Sequence, residues 1–151
     1  MKHILFVCLG NICRSPLAEG IASDMIKNNA LDITADSAGT SSWHKGEAPC
    51  SNSIKVAQRH HINISDQRSR PITSYDKTYF DYVIALDRQN QTDLETLGFQ
   101  NVYLLGDFGG YEGKDVPDPY YFPGFEGFEK VYTMIENATF DLLEKIKDET
   151  I

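Results

Sequence analysis

The chain contains 151 residues, of which 41% are hydrophobic and 24% are charged, so we expect one ordinary globular domain over residues 1–151. Its formal net charge of −8 argues against nucleic acid and anionic membrane surfaces as partners, because both attract basic protein surfaces. No apolar run approaches the ~20 residues that span a bilayer, and three cysteines behind an N-terminus without a targeting signal favour a reducing cytoplasm over a secreted disulfide scaffold.

Hydrophobic patterns along the chain predict strands that alternate with helices. In chain order they predict a strand over 3–9, a helix over 16–28, a strand over 31–38, a helix over 50–61, a strand over 82–86, a helix capped by Asp87 that ends at 97, a strand over 102–105 and, after a long loop, a helix over 125–146. This alternation indicates an α/β fold of three layers, with a doubly wound, four-stranded parallel sheet and helices on both faces. In such a sheet, ligands bind beyond the carboxyl ends of the strands.

The first strand runs into a loop of sequence CLGNICRS, residues 8–15, which begins with a thiol and ends with an arginine and a serine. We expect Ser15 to cap the following helix and Pro16 to occupy its first position, because these residue types favour those places. Such a loop turns its backbone N–H groups inward at the positive end of a helix, where they bind a tetrahedral oxyanion. The segment therefore predicts a phosphate-binding loop directly after the first strand, with Cys8 at its base.

The residue types in and near this loop favour hydrolysis of a phosphate ester. A helix N-terminus and a neighbouring cation stabilise the thiolate of Cys8, which can then attack phosphorus. Arg14 offers a planar set of donors that match two phosphate oxygens. The leaving group needs a proton, and Asp118, in the aromatic-rich loop between 106 and 128, is the candidate general acid and later the base that activates water. This chemistry requires neither a metal nor a cofactor, and no His or Cys spacing is typical of a zinc site.

Three motifs carry a resemblance to a known family: VCLGNICRSP at 7–16, DSAGT at 36–40 and DPYY at 118–121. With them the chain resembles the low-molecular-weight protein tyrosine phosphatases over nearly its full length. The resemblance implies metal-independent hydrolysis of protein phosphotyrosine, and of small aryl phosphates, through a cysteinyl-phosphate on Cys8, with Arg14 as the phosphate clamp and Asp118 as the general acid and base. It implies phosphotyrosine-containing proteins as partners, and inorganic phosphate or other oxyanions as product or inhibitor.

The same resemblance implies supporting roles around the loop. Asn11 would hold the unusual backbone of the loop through hydrogen bonds that include Ser37. The Ser15 hydroxyl would donate to the Cys8 thiolate and ease its departure. Gln67 stands where many relatives have a histidine, and its amide can form hydrogen bonds without titrating.

Substrate contacts are expected from the loop and from aromatic residues near it. By resemblance, the walls of the substrate cleft are Leu9, Trp43, Tyr120 and Tyr121. The other expected substrate-binding residues lie in the loop itself and are Gly10, Asn11, Ile12, Cys13 and Ser15. An apolar and aromatic cleft fits a flat phenyl ring, and its depth would exclude the shorter phosphoserine.

Two further cysteines accompany Cys8. In the family that the chain resembles, a second cysteine at the place of Cys13 can form a reversible disulfide with the nucleophile and shield it from over-oxidation. Cys13 could instead pack as a small residue in a tight loop. We interpret Cys50 as a structural or exposed residue and not as a functional one.

Three other functions fit parts of the pattern. Arsenate reductases share this fold and loop, but their chemistry needs a relay of further cysteines in the middle of the chain, and none follows Cys50. Phosphoarginine phosphatases on the same scaffold tend to have threonine where this chain has Ile12, which favours phosphotyrosine. A phosphate- or phosphotyrosine-binding module without turnover would lack the thiol, the arginine or the acid, and all three are present.

Overall fold

The computed structural model describes residues 1–151 and shows four strands and five α-helices. The strands are β1 (Lys2–Cys8), β2 (Ile33–Gly39), β3 (Tyr82–Ala85) and β4 (Val102–Leu104). The helices are α1 (Arg14–Asn28), α2 (Ser51–Arg59), α3 (Asp76–Tyr79), α4 (Arg88–Thr96) and α5 (Glu126–Lys147). Two short 3-10 helices lie at Leu105–Asp107 and Pro119–Tyr121. None of the helices is both long enough and apolar enough to cross a membrane.

The four strands form one parallel sheet in the order β2-β1-β3-β4. Strand β2 pairs with one edge of β1, and the chain then crosses over so that β3 pairs with the other edge of β1. Helices α1, α2 and α5 pack together on one face, and α4 packs against β3 and β4 on the other. The predicted doubly wound α/β sheet is confirmed, and the strand order reverses at the carboxyl end of β1.

Alternate side chains of β1 enter two separate cores, because successive residues of a strand point to opposite faces. Ile4 and Phe6 lie in a core of 27 buried residues that includes side chains from α1, α2 and α5. Leu5 and Val7 lie in a core of 9 buried residues on the side of α4. Cys8, the last residue of β1, belongs to the larger core, on the same face of the sheet as α1, α2 and α5.

The start of α1 differs from the prediction. The helix begins at Arg14, its N-cap is Cys13, and no side chain caps it, so Pro16 occupies the third helical position instead of the first. The predicted cap, Ser15, is fully buried, and its hydroxyl lies 3.0 Å from the Cys8 sulfur. The prediction of Ser15 as the N-cap was wrong because this hydroxyl bonds to the thiol and not to the helix backbone.

Gly39, at the end of β2, allows the strand to pass directly behind the loop that follows β1. A Cβ at this position would lie 2.7 Å from the Leu9 carbonyl oxygen and 3.2 Å from the Asn11 side chain. The first of these distances is shorter than real Cβ contacts, so any larger residue would displace the loop. The loop can therefore adopt this position only because residue 39 is a glycine, which has no Cβ.

Three short elements were not predicted, namely helix α3 and the two 3-10 helices. Helix α3 is a single turn, stabilised by the buried Asp76 carboxylate, which accepts from the Thr73 N–H at 2.8 Å. The predicted loop between 106 and 128 contains the 3-10 turn Pro119–Tyr121, which Asp118 caps. Hydrophobic periodicity needs more than one turn to appear, which is why the pattern did not reveal them. The boundaries of the longer elements agree with prediction to within a few residues.

Candidate active site

Cys8 opens onto a cavity of about 210 Å³ at the carboxyl edge of the sheet. The residue is 3% exposed, and its sulfur accepts a hydrogen bond from the Asn11 N–H at 3.3 Å. The cavity is lined by Cys8, Leu9, Gly10, Ile12, Cys13, Arg14, Trp43, His44, Asp118 and Pro119. The three residues expected to be catalytic, Cys8, Arg14 and Asp118, thus border one cavity.

The carbonyl groups of the loop are bonded to structure outside it. Leu9 O accepts from Ser41, Gly10 O from Ser69 Oγ at 2.9 Å, Ile12 O from Cys50 N at 2.7 Å, and Cys13 O from Ser53 Oγ at 3.1 Å. The C=O and N–H of a trans peptide point in opposite directions, so the N–H groups that follow these carbonyls turn toward the cavity. Together with the N-terminus of α1, they form a set of donors suited to an oxyanion.

Asn11 fixes the conformation of the loop. Its φ of 55° lies in the left-handed region, which a residue with a side chain adopts only when its surroundings hold it there. The buried amide makes three hydrogen bonds: Nδ2 donates to Ser15 Oγ at 2.8 Å and to Ser37 Oγ at 3.0 Å, and Oδ1 accepts from the Arg70 N–H at 3.0 Å. These bonds compensate for the strain, so the donors of the loop are already in place.

Ser15 connects Asn11 to the thiol. Because its oxygen accepts from Asn11 Nδ2, its own hydrogen is free to point at Cys8 Sγ, 3.0 Å away. The sulfur therefore has two donors, the Ser15 hydroxyl and the Asn11 N–H. Hydrogen bonds to the charged form of a group favour that form, so this arrangement stabilises a thiolate.

Arg14 is the first residue of α1, and its guanidinium is held from a different part of the chain. Nη1 donates to Asp87 Oδ2 at 2.8 Å and to the Val116 carbonyl at 2.9 Å. The side chain is only 14% exposed. One nitrogen is thus anchored, while the residue borders the cavity and leaves further donors for a ligand.

Asp118 also lines the cavity, at the start of the 3-10 turn. Its Oδ1 accepts from the Tyr120 N–H at 2.9 Å, and its other carboxylate oxygen makes no hydrogen bond within the protein. The residue is exposed, while Pro119 beside it is buried. A carboxyl group held by its backbone with one oxygen free is suited to exchange a proton with a ligand in the cavity.

Comparison with known proteins identifies the family of this chain. A model of the family described as low molecular weight phosphotyrosine protein phosphatase matches residues 3–151. The chain belongs to that family. It is accordingly an enzyme, a protein-tyrosine-phosphatase, and the resemblance inferred from the three motifs is confirmed.

Individual relatives agree over the full length of this phosphatase. The low molecular weight protein-tyrosine-phosphatase PtpA of Staphylococcus epidermidis is 37% identical over 150 residues, covering 97% of this chain and 94% of that protein. A protein tyrosine phosphatase from Entamoeba histolytica, solved with Hepes in its active site, matches with a TM-score of 0.92 at 37% identity over 100% of both chains. The drosophila arginine phosphatase DARP matches with a TM-score of 0.89 at 33% identity over 97% of this chain and 98% of that one.

The rim of the phosphatase cavity matches the expected substrate walls only in part. Leu9 and Trp43 line the cavity and are 44% and 75% exposed. Tyr120 and Tyr121 do not line the cavity, although Tyr120 lies close to Cys13 and Cys50 beside it. Tyr120 packs edge-on against Phe128, with ring centroids 5.2 Å apart, and Tyr121 is 83% exposed.

The residues of the loop fall into two groups. Gly10, Ile12 and Cys13 line the cavity, as expected of ligand-binding residues. Asn11 and Ser15, also expected to contact substrate, lie buried behind the loop and face the thiol and β2 instead. Their position is that of supports, which agrees with the other role expected of them together with Ser37.

Glu19 completes the network behind the loop, and the sequence did not reveal it. Its Oε1 accepts from Ser37 Oγ at 2.8 Å, which connects it through Asn11 and Ser15 to Cys8. Burial raises the pKa of Glu19 to about 7, against the opposing effect of the Ser37 hydrogen bond. Gln67 lies outside this chain of bonds, because its Nε2 donates to the Pro16 carbonyl at 3.0 Å.

Two other residues of the site were missed. Asp87 was predicted only as a helix cap, which it is, since its Oδ1 accepts from the Asn90 N–H at 2.7 Å, but its Oδ2 also anchors Arg14. His44 lines the cavity beside Trp43, and its Nδ1 lies 2.8 Å from Glu47 Oε2. Arg14 and Asp87 are far apart in sequence, and His44 and Glu47 lie in a loop that no motif marks. No group of three or more His, Cys, Asp or Glu side chains is arranged to hold a metal ion.

Proposed function

We propose that this phosphatase hydrolyses phosphotyrosine in proteins, and small aryl phosphates, through a cysteinyl-phosphate on Cys8 and without a metal. The observation that carries the proposal is the shared cavity: it is lined by a thiol with two donors, an anchored guanidinium and a carboxyl group with one free oxygen. Each of the three has the chemistry that one part of the reaction needs.

Binding of the phosphate depends on local groups. With a net charge of −8, the whole protein repels an anion, so the loop N–H groups and Arg14 must supply the attraction. Arg14 can give two parallel hydrogen bonds to phosphate oxygens. The same donors stabilise the charge that develops on the equatorial oxygens in the transition state.

In the first chemical step, the Cys8 thiolate attacks phosphorus in line with the leaving oxygen. The S–P bond forms while the P–O bond to the tyrosine breaks. Asp118, in its protonated form, gives its proton to the departing phenolate. The Cys8 residue then carries the phosphoryl group, still bound by the loop and Arg14.

In the second step, the Asp118 carboxylate takes a proton from a water molecule, which attacks phosphorus from the side of the departed phenol. The S–P bond breaks, and the Ser15 hydroxyl and the Asn11 N–H stabilise the leaving thiolate. Inorganic phosphate leaves, and Asp118 is again protonated for the next cycle.

The shape of the cavity favours an aromatic substrate. Leu9, Ile12 and Trp43 provide apolar and aromatic surface around its opening. Phosphoarginine is the second candidate, since the drosophila arginine phosphatase DARP is among the matching structures. We favour phosphotyrosine because the branched apolar side chain of Ile12 suits a phenyl ring better than a guanidinium.

We also propose that the enzyme works in the cytoplasm and that oxidation regulates it. All three cysteines are free thiols, which a reducing compartment preserves. The family resemblance supports a reversible disulfide between Cys8 and Cys13, and both residues line the same cavity. Such a disulfide would block the nucleophile while protecting it from irreversible oxidation.

The test is hydrolysis of p-nitrophenyl phosphate in EDTA and a thiol reductant, with wild type, Cys8→Ser and Cys50→Ser compared. We expect turnover in wild type and Cys50→Ser and none above background in Cys8→Ser. Phosphotyrosine and phosphoarginine peptides of the same sequence then distinguish the two substrate classes. Turnover that survives in Cys8→Ser, or silence in all three proteins, would overturn the proposal.

A further inference from the structure

All three thiols of the chain meet at one place, where the loop after β1 contacts the start of α2. Cys8 is at the base of the cavity, Cys13 is the N-cap of α1, and Cys50 is the N-cap of α2. The side chains of Cys13 and Cys50 are neighbours that influence each other's pKa, and Cys50 Sγ lies 3.1 Å from Ser53 Oγ, which itself bonds to the Cys13 carbonyl. Cys13 also lines the cavity into which Cys8 opens. Cys13 thus stands between the nucleophile and Cys50.

The contact between Cys13 and Cys50 is built into the backbone. The Cys50 N–H donates to the Ile12 carbonyl at 2.7 Å, and Ser53 Oγ donates to the Cys13 carbonyl at 3.1 Å. The first turn of α2 is therefore attached to the two residues that precede α1. These bonds hold the backbones of Cys13 and Cys50 beside each other.

The surroundings of the pair make Cys50 the more acidic of the two thiols. The neighbouring Cys13, Ser53 and Tyr120, opposed by burial, lower the pKa of Cys50 to about 6. The neighbouring Cys50 and burial raise the pKa of Cys13. The pair thus favours loss of a proton from Cys50 over Cys13, and a thiolate is the form that attacks disulfides.

We propose that Cys50 resolves oxidised Cys8 through Cys13, so that the stable oxidised enzyme carries a Cys13–Cys50 disulfide and a free Cys8 thiolate. This inference rests on the proposed role of Cys8 as a thiolate nucleophile. In this scheme the Cys8–Cys13 disulfide is a transient intermediate and not the end product of oxidation. The outcome would be a phosphatase that restores its own nucleophile after an oxidative event.

The oxidant is hydrogen peroxide. The Cys8 thiolate attacks one peroxide oxygen, the O–O bond breaks, and hydroxide leaves Cys8 as a sulfenic acid. The Cys13 thiol then displaces the sulfenic oxygen, which leaves with the thiol proton as water, and the Cys8–Cys13 disulfide forms. Finally the Cys50 thiolate attacks the Cys13 sulfur, forms the Cys13–Cys50 disulfide and expels the Cys8 thiolate. Two thiol groups have given two electrons to peroxide, and Cys8 has returned to its starting state.

The geometry favours this direction of exchange. Cys50 neighbours Cys13, and its attack on the Cys13 sulfur breaks the bond to Cys8. The leaving Cys8 thiolate receives hydrogen bonds from Ser15 and from the Asn11 N–H, which stabilise it as a leaving group. Cys50 itself does not line the cavity, so its disulfide leaves the entrance to Cys8 open.

The experiment follows reduced wild type, Cys50→Ser and Cys8→Ser after removal of reductant, treatment with one equivalent of hydrogen peroxide and quenching with catalase. Aliquots go to a p-nitrophenyl phosphate assay without thiols and to disulfide mapping by mass spectrometry after alkylation. We expect wild type to regain most of its activity with a Cys13–Cys50 disulfide. Cys50→Ser should recover about tenfold less, remain as the Cys8–Cys13 disulfide, and return to full activity only with dithiothreitol.

Several results would contradict the relay. Wild type that stays inactive with a Cys8–Cys13 disulfide, or with Cys8 as sulfinic acid, would exclude transfer to Cys50. Equal recovery of Cys50→Ser and wild type would do the same. Formation of the Cys13–Cys50 disulfide in Cys8→Ser as fast as in wild type would show that Cys8 is not the entry point for oxidation.

Failure of the relay and failure of the proposed phosphatase activity are distinguishable. The disulfides are mapped without any assay of turnover, and activity before peroxide reports on the phosphatase alone. Cys50→Ala serves as a second variant, in which no hydroxyl can replace the thiol at the start of α2. It should behave as Cys50→Ser does, and a difference between them in disulfide pattern would count against the relay.

Discussion

Asp118 has a single free carboxylate oxygen at the edge of the cavity, and its contribution depends on how much help the leaving group needs. Asp118→Asn keeps an oxygen that can accept from the Tyr120 N–H, so the 3-10 turn should remain folded. We expect phosphotyrosine turnover to fall on the order of 100-fold, with a smaller loss for p-nitrophenyl phosphate, whose phenolate leaves without assistance. Steady-state kinetics with both substrates measure this, and inhibition by inorganic phosphate should be unchanged.

Asp32→Asn is the matched control for that substitution, because Asp32 is a surface residue at the far end of the sheet that pairs with the N-terminus. It should retain wild-type rates with both substrates. If Asp118→Asn also turned over phosphotyrosine at the wild-type rate, Asp118 would have no part in proton transfer.

Asn11 combines a left-handed backbone with three buried side-chain hydrogen bonds. Asn11→Ala removes all three bonds, so the Arg70 N–H loses its acceptor and the Ser15 and Ser37 oxygens lose a donor. We expect a loss of about 2 kcal/mol or more in the free energy of unfolding, together with a lower turnover number. Urea denaturation gives the first quantity, and Asn28→Ala, on the exposed surface of α1, should change it little. Unchanged stability and turnover in Asn11→Ala would show that the loop holds its shape without this amide.

At the scale of elements, α1 delivers both Arg14 to the cavity and Glu19 to the network behind it. The folded protein holds the pKa of Glu19 at about 7, above its ordinary value, so between those two pH values the folded state binds a proton that the unfolded state does not. Stability from this group is therefore present at low pH and is lost as the pH rises toward neutrality and above.

Glu19→Gln removes that dependence while an amide oxygen can still accept from Ser37. We expect the variant to gain stability relative to wild type as the pH rises from 5 to 8, by on the order of 1 kcal/mol. Chemical denaturation at several pH values measures the difference, with Glu95→Gln on the exposed face of α4 as control. A difference that does not vary with pH would mean that Glu19 titrates alike in the folded and unfolded chains.

The elements also explain what the sequence could and could not predict. The loop of residues 8–15 was predictable because its thiol, its arginine and the strand before it are contiguous. Asp87 and Glu19 were not, because their hydrogen bonds to Arg14 and Ser37 join parts of the chain that only the folded sheet brings together. Cys50 was interpreted as structural for the same reason: its neighbour Cys13 belongs to another helix.

For Tyr120 and Tyr121, the sequence motif predicted the segment but not the orientation of the side chains. The DPYY motif predicted a functional segment, and its Asp118 borders the cavity. The direction of the following side chains depends on a single 3-10 turn, which hydrophobic pattern does not predict. The fold class was therefore easier to predict than the orientation of individual rim residues, because it depends on several long periodic segments.

At the scale of the whole molecule, the net charge of −8 opposes the approach of any phosphorylated substrate. Salt screens that repulsion, with a Debye length of about 8 Å at 0.15 M. We expect kcat/KM for a dianionic aryl phosphate to rise severalfold between low salt and about 0.15 M sodium chloride. A steep fall with salt, measured at fixed pH, would instead indicate a long-range attraction that the charge distribution does not provide.

The central claim is that Cys8 carries the phosphoryl group during turnover. The most direct measurement is rapid acid quenching of wild type and Asp118→Asn during hydrolysis of an aryl phosphate, followed by mass spectrometry of the peptide that contains residues 8–14. We predict a phosphate on Cys8 in both proteins and none on any peptide of Cys8→Ser. Turnover without phosphocysteine, or with the phosphate on another residue, would contradict the account.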